Sequence, residues 1–248
     1  MTYCVGVMVD SGLVLASDSR TNAGVDHIMT YRKMTVFEKP SDRVIVLLSA
    51  GNLAITQAVV NLLKEYTTEA DETLNLLEAK SMFRVARIVG NAIREVHKVD
   101  APHLHEYHAD FNANFILGGQ IKGGQTRLFQ VYTAGNFIEA SPETPFMQIG
   151  ETKYGKPVLD RIVTPHISLE EAAKCLLVSY TSTLRSNVSV GLPIDLVMYR
   201  KDSLKIESKL FIEEGDPYFT KLNADWSNAL SKAFENIENP NFRRLNGV

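Results

Sequence analysis

The first fifty residues consist of short apolar runs separated by turn-forming residues. Two runs cover residues 3–9 and 12–17, and the Asp-Ser-Gly sequence between them is typical of a tight hairpin. Two further runs, at residues 34–37 and 43–49, flank a Lys-Pro-Ser-Asp turn. Apolar runs of this length, joined by such turns, predict antiparallel strands.

A helical period then replaces the strand pattern. After Asn52, a suitable N-cap residue, apolar residues recur at intervals of three and four as far as Tyr66. A second stripe of this kind, from Met82 to Val96, predicts a helix over about residues 73–98.

The second half of the chain repeats this order of strands and helices. Its predicted strands cover residues 113–119, 126–132, 136–139, 146–149, 194–200 and 204–211. Two helices are predicted between the fourth and fifth of these strands. One lies near residues 156–163, and the other begins at a capping box that Ser168 opens.

Strands joined mostly by hairpins predict an α+β fold in which two antiparallel sheets pack face to face with helices outside. No Pro-, Gly- or Ser-rich linker divides the two halves of the sequence. We therefore predict one domain over residues 2–212. Residues 213–248, which include Trp226, are predicted to form a helical C-terminal extension.

Composition narrows the classes of function. The 248 residues are 45% hydrophobic and 22% charged with a net charge of −3, which excludes a wholly disordered chain and predicts no nucleic-acid partner. No apolar run reaches the roughly 18 residues of a membrane span, and the N-terminus does not resemble a signal peptide. The two cysteines, Cys4 and Cys175, exclude a disulfide scaffold, so we expect a cytoplasmic protein. We also expect no cofactor.

The second residue carries the first candidate chemistry. If Met1 is removed, the hydroxyl of Thr2 lies beside a free α-amine, whose pKa of about 7.7–8.0 leaves a useful fraction unprotonated at neutral pH. That amine can accept the hydroxyl proton directly or through water. This is the Thr–N-terminal-amine form of an activated nucleophile.

Three further residues would complete such a site. Asp18 ends the second predicted strand, and Lys33 begins the third, which we expect to return beside the first two. An Asp–Lys pair below the nucleophile would favour its alkoxide and the neutral amine. Gly51 ends a strand immediately before a helix, where its backbone N–H would stabilise an oxyanion.

Taken together, these segments resemble the proteasome β-type subunits of the N-terminal-nucleophile (Ntn) hydrolases. The resemblance covers about residues 2–212 and is looser in the second half, at residues 135–140 and 194–197. Tyr3, the methionine-only leader and the long tail place the chain nearest a bacterial proteasome-related branch. The specific motifs are residues 2–7 (TYCVGV), residues 15–24 (LASDSRTNAG), Lys33 and residues 49–51 (SAG).

The resemblance implies a four-layer αββα sandwich, a threonine peptidase or amidase acting on a peptide or protein, and self-assembly into a ring or an open helical array. It makes Thr2 both nucleophile and base, supported by Asp18 and Lys33, with Gly51 as the oxyanion donor. It also places three residues at the substrate pocket: Thr21, Tyr31 and Leu53. It identifies no unfoldase partner.

The chain departs from the family pattern around the terminal amine. Such subunits carry a serine after a glycine at the start of the third main helix, where this chain has Glu151. They also carry an acidic residue, and a serine further on, in the loop before the last hairpin. Here Ser186 stands at the acidic position, whereas Ser189 matches the later serine.

Two alternatives remain open from sequence. The first is a non-catalytic scaffold subunit of the same fold. The second is a metallohydrolase that uses His103, His105 and His108, because imidazoles two residues apart on a strand or loop can share an ion. The ordinary interpretation of this cluster is an exposed, histidine-rich connection, so we predict no metal site.

Overall fold

The computed structural model describes residues 2–22, 28–106 and 110–242. Within them the strands are β1 (Tyr3–Val9), β2 (Gly12–Asp18), β3 (Arg20–Asn22), β4 (Ile28–Thr30), β5 (Met34–Lys39), β6 (Arg43–Gly51), β7 (Ala113–Ile121), β8 (Arg127–Val131), β9 (Phe137–Glu139), β10 (Phe146–Gly150), β11 (Ile194–Arg200) and β12 (Ser208–Ile212). The helices are α1 (Leu53–Tyr66), α2 (Met82–Glu106), α3 (Lys156–Ile162), α4 (Leu169–Ser186) and α5 (Pro217–Glu235).

Two five-stranded antiparallel sheets form the centre of the fold. The first has the order β10-β1-β2-β11-β12, the second has the order β5-β6-β7-β8-β9, and β3 pairs with β4 alone. One apolar core lies between the sheets, because Cys4, Leu15, Leu48 and Ile116 from strands of both sheets belong to a single buried cluster.

Helices cover the outer face of each sheet. Helices α1 and α2 contact the second sheet, and their apolar stripes form a second buried cluster with its strands. Helix α4 contacts β1, β2 and β11, and α3 packs against α4. This is the expected four-layer αββα sandwich.

The predicted helix caps are confirmed. The Asn52 side chain accepts the N–H groups of Ala54 and Ile55 at the start of α1, and Ser168 and Glu171 form the capping box of α4. Both motifs satisfy backbone donors of the first helical turn, which is why they could be recognised from neighbouring residues alone.

The second helix differs from its prediction. It begins at Met82 rather than near residue 73, because the preceding segment forms turns held by Asp71, which accepts the Thr73 N–H, and by Asn75, which accepts the Leu77 N–H. It also continues through Pro102 to Glu106. Strands β3 and β4 were not predicted.

The chain divides into two compact units, one through Glu214 and one from Gly215 onward. The second unit contains α5, whose first turn is capped by Asp216 through the N–H of Phe219. In the described parts of the chain, no helix combines the length and hydrophobicity that a membrane span requires.

Candidate active site

Thr2 lies at the open end of the layer between the two sheets. It is only 9% exposed, and its carbonyl oxygen accepts the Glu151 N–H at 2.6 Å. Gly150 passes so close that a Cβ there would lie 2.0 Å from the same oxygen, and its φ of +82° also favours glycine. The backbone around Thr2 is therefore tightly held by β10.

Asp18 and Lys33 form a buried ion pair beside Thr2. Their Oδ1 and Nζ atoms lie 3.0 Å apart, with side-chain exposures of 0% and 6%. The same Asp18 oxygen accepts the Tyr3 N–H at 2.9 Å, and Lys33 Nζ donates to the Arg20 carbonyl oxygen at 2.5 Å. Burial raises the pKa of Asp18 above its ordinary value, and the nearby Lys33 charge opposes this rise.

The third strand is not where the sequence analysis placed it. β5 does not return beside β1 and β2; it pairs with β6 in the opposite sheet. Lys33, just before β5, therefore reaches Asp18 across the layer between the sheets. The ion pair joins the two sheets, which hydrophobic patterning cannot reveal because both sheets have the same alternation.

The Gly51 N–H points away from β7 because of its place in the β-ladder. The Asn52 N–H donates to the carbonyl of Asn112, the residue just before β7. Because successive N–H groups along a strand point to opposite sides, the Gly51 N–H points to the other side of β6. On that side the Ser49 N–H donates to the Lys33 carbonyl, and the pairing of β6 with β5 ends at Leu48. Gly51 has a φ of +128°, and a Cβ there would lie 2.2 Å from the Asn112 oxygen.

These groups open into one cleft of about 440 Å³. Thr21 and Leu53 line it, as the family resemblance implied, and the Thr21 hydroxyl has no hydrogen-bond partner within the described residues. Tyr31 does not line this cleft; its N–H donates to the Ser19 carbonyl. The full lining is Thr2, Thr21, Lys33, Ser49, Ala50, Gly51, Leu53, Thr56, Asn112, Asn114 and Gly150.

The amide wall of the cleft, formed by Asn112 and Asn114, was not predicted from the sequence. Asn114 pairs with Ala50 across the β6–β7 ladder, and its amide donates to the Asn112 side-chain oxygen at 2.8 Å. Phe115 packs under the helices and Ile116 between the sheets, so alternation turns Asn114 toward the layer between the sheets. A polar residue at an inward position of the predicted strand was the available signal.

The histidine cluster does not have the geometry that a shared ion needs. His103 and His105 lie in the last turn of α2 rather than on a strand or loop, and residues two apart on a helix do not face each other. Both are exposed, and His108 lies outside the described residues. Over the described ranges, no group of three or more His, Cys, Asp or Glu side chains could hold a metal ion.

Comparison with known proteins identifies the family. The family model described as proteasome subunit matches residues 2–197. A search of curated proteins found no match. Among solved structures, the Gly-1 mutant of Anbu from Hyphomicrobium sp. strain MC1 is 51% identical with a TM-score of 0.92, and the alignment covers 98% of this chain and 100% of that one.

Two further Anbu structures are similar over nearly their full length. Anbu from Yersinia bercovieri, described as an ancestral β-subunit, is 46% identical with a TM-score of 0.91, covering 98% of this chain and 100% of that one. The chain in the helical assembly of the Anbu complex from Pseudomonas aeruginosa is 45% identical with a TM-score of 0.92, covering 97% and 98%. The resemblance inferred from sequence is confirmed: the chain belongs to the proteasome subunit family and is similar to Anbu.

Proposed function

We propose that this protein is an N-terminal-threonine amidohydrolase that cleaves peptide bonds. It becomes active once Met1 has been removed and the α-amine of Thr2 is free. The observation that carries the proposal is the buried Asp18–Lys33 pair beside Thr2, in a cleft that also contains Gly51. Keeping two charges out of water is costly, so a buried pair at the floor of an open cleft supports a catalytic role.

The reaction proceeds in two stages. The Thr2 oxygen attacks the substrate carbonyl carbon while its proton passes to the α-amine, and the oxyanion accepts the Gly51 N–H. The resulting ammonium gives a proton to the departing amine as the C–N bond breaks, which leaves an ester on Thr2. Water then attacks this ester with the α-amine as base, and the acid and the free hydroxyl are released.

The supporting residues act through charge and position. Lys33 stabilises the alkoxide form of Thr2, and Asp18 holds the lysine ammonium in place. Thr21 and Leu53 line the cleft and contact the substrate. No cofactor takes part. Cys4 and Cys175 are both free and buried, which supports a cytoplasmic location.

The decisive experiment joins mass spectrometry with covalent labelling. We expect purified protein to begin at Thr2 and to gain one equivalent of a threonine-directed peptide electrophile, such as an epoxyketone or a β-lactone, on the N-terminal peptide. Processed protein that stays unlabelled, while a control proteasome β-subunit reacts under the same conditions, would refute the proposal. That result would favour a scaffold subunit.

We also propose that the chain assembles with copies of itself. The related Pseudomonas aeruginosa complex is a helical assembly. In the tail of this chain, Leu230 and Phe234 lie four residues apart on α5 with exposures of 50% and 77%, and Ile237, just past the helix, is 68% exposed. Exposed apolar side chains on one helical face are typical of an interaction surface.

Light scattering coupled to gel filtration tests this assembly. We expect a mass several times the 27.6 kDa of one chain, and a lower mass for the Phe234→Asp variant. Thr144→Asp, which adds the same charge in an exposed turn, serves as the control. A single 27.6 kDa species at all concentrations would contradict self-assembly, and electron microscopy would distinguish a ring from an open helix.

A further inference from the structure

Glu151 contacts Thr2 at the end of the first sheet, just beyond the pairing of β1 with β10. β1 pairs with β10 as far as Tyr3 and Gly150, and one residue beyond this pair the Glu151 N–H donates to the Thr2 carbonyl at 2.6 Å. The Glu151 side chain therefore extends from a backbone position that contacts Thr2 directly.

Neutral donors hold this carboxylate in place. Its side chain is buried, with the residue only 5% exposed. Oε1 accepts the Lys153 N–H at 2.8 Å, and Oε2 accepts the Asn187 amide at 2.7 Å. Asn187 is in turn oriented by the Ser189 N–H, which donates to its side-chain oxygen at 3.0 Å. The carboxylate is thus oriented from two directions.

The carboxylate has no cationic partner in residues 2–22, 28–106 and 110–242. All ion pairs formed within these ranges use carboxylates other than Glu151, and Lys33 pairs with Asp18. A buried carboxylate without a compensating charge is costly. Removal of Met1 would create a cation nearby, the α-ammonium group of Thr2.

We propose that Glu151 is a positioning residue whose carboxylate binds the α-ammonium group of Thr2 and directs this group toward the threonine hydroxyl. This inference rests on the proposed function, since it requires that Met1 is removed. It gives Glu151 a role at the position where the family pattern has a neutral serine hydroxyl.

We expect the Glu151 charge to determine the pKa of the Thr2 α-amine, because the other titratable groups nearby are paired or neutral. Asp18 and Lys33 offset each other. Burial raises the pKa of Tyr3, Cys4 and Tyr180, so all three remain neutral at the pH values of interest. An opposite charge favours the protonated amine, so hydrolysis by the free amine would begin only at a more alkaline pH than in a subunit with a neutral residue here.

The test measures the pKa of the Thr2 amine directly. Competitive labelling of full-length processed protein with acetic anhydride between pH 6 and pH 11, read by mass spectrometry of the N-terminal peptide, yields this value without any substrate. We expect the pKa to fall by about one unit in Glu151→Gln, which exposes about tenfold more free amine at pH 7. Glu143→Gln removes an exposed turn carboxylate and should leave the amine unchanged.

Glu151→Asp keeps the charge and should retain most of the shift, and a thermal melt reports whether each variant is folded. A purely structural role would lower the melting temperature of Glu151→Gln without moving the amine pKa, and equal pKa values in folded wild type and Glu151→Gln would overturn the inference. A clear shift in protein that never reacts with the electrophile would uphold Glu151 as the ammonium site and reject the proposed hydrolase.

Discussion

Replacement of Thr2 by alanine is expected to abolish amide hydrolysis and electrophile labelling while the fold stays intact. The variant retains the α-amine, the ion pair and the Gly51 N–H but lacks the attacking oxygen. Loss of the nucleophile in a hydrolase of this kind costs on the order of 10⁴-fold or more in rate. The Thr2 carbonyl would still accept the Glu151 N–H, so the unfolding midpoint should move by only a few degrees.

Thr2→Ser provides the matched comparison, because it restores the hydroxyl without the methyl group and should recover measurable hydrolysis and labelling. Thr144→Ala changes a threonine in an exposed turn and should behave as wild type. The measurements are release of a fluorophore from a peptide amide and the mass of the N-terminal peptide. Undiminished hydrolysis by Thr2→Ala would assign the activity to another site or to a contaminant.

Disruption of the ion pair is expected to separate its contribution to stability from its contribution to rate. In Lys33→Met, the buried Asp18 carboxylate loses its partner at 3.0 Å, and breaking a buried pair in this way costs about 3–5 kcal/mol of stability. The labelling rate at Thr2 should fall about 10²- to 10³-fold, because the positive charge that stabilises the alkoxide is gone.

The double variant Asp18→Asn with Lys33→Met is the critical comparison. The substituted amide keeps an oxygen for the Tyr3 N–H but carries no charge, so we expect much of the lost stability to return in urea denaturation. The labelling rate should remain as low as in Lys33→Met. Recovery of both stability and rate in the double variant would show that the pair is structural only.

As the pH rises and Asp18 loses its proton, we expect the free energy of unfolding to fall and the hydrolytic activity to rise. Because burial raises its pKa above the value in the unfolded chain, the folded state binds this proton more tightly. The stability contributed by this group is present below the unfolded pKa and is lost as the pH rises through the folded pKa. Activity needs the ionised pair, so it rises with pH over the same interval.

Much of the candidate site could be predicted from local sequence. Thr2, Asp18 and Gly51 stand at the ends of strands whose apolar runs and turns are visible in short windows. Their chemistry depends on residue type and on proximity to a strand end. Asn52 and Ser168 could likewise be predicted as helix caps, because a cap bonds only to its neighbours in sequence.

Features that depend on distant segments could not be predicted in the same way. The start of α2 at Met82 follows from side-chain turns that compete with a helical pattern, and the placement of the amide wall follows from the β6–β7 register. The prediction that β5 lies beside β1 and β2 was wrong, since alternation shows which face of a strand is buried but not which strand lies beside it.

The sequence by itself determined the strand and helix order, the family and the candidate nucleophile, because these depend on periodicity and on motifs of a few residues. Only the tertiary structure decided that Lys33 crosses between the sheets to reach Asp18, and that the Glu151 backbone hydrogen-bonds to Thr2. The physical reason is that both arrangements are contacts between strands far apart in sequence. The packing of the two sheets and the pairing register determine these contacts together.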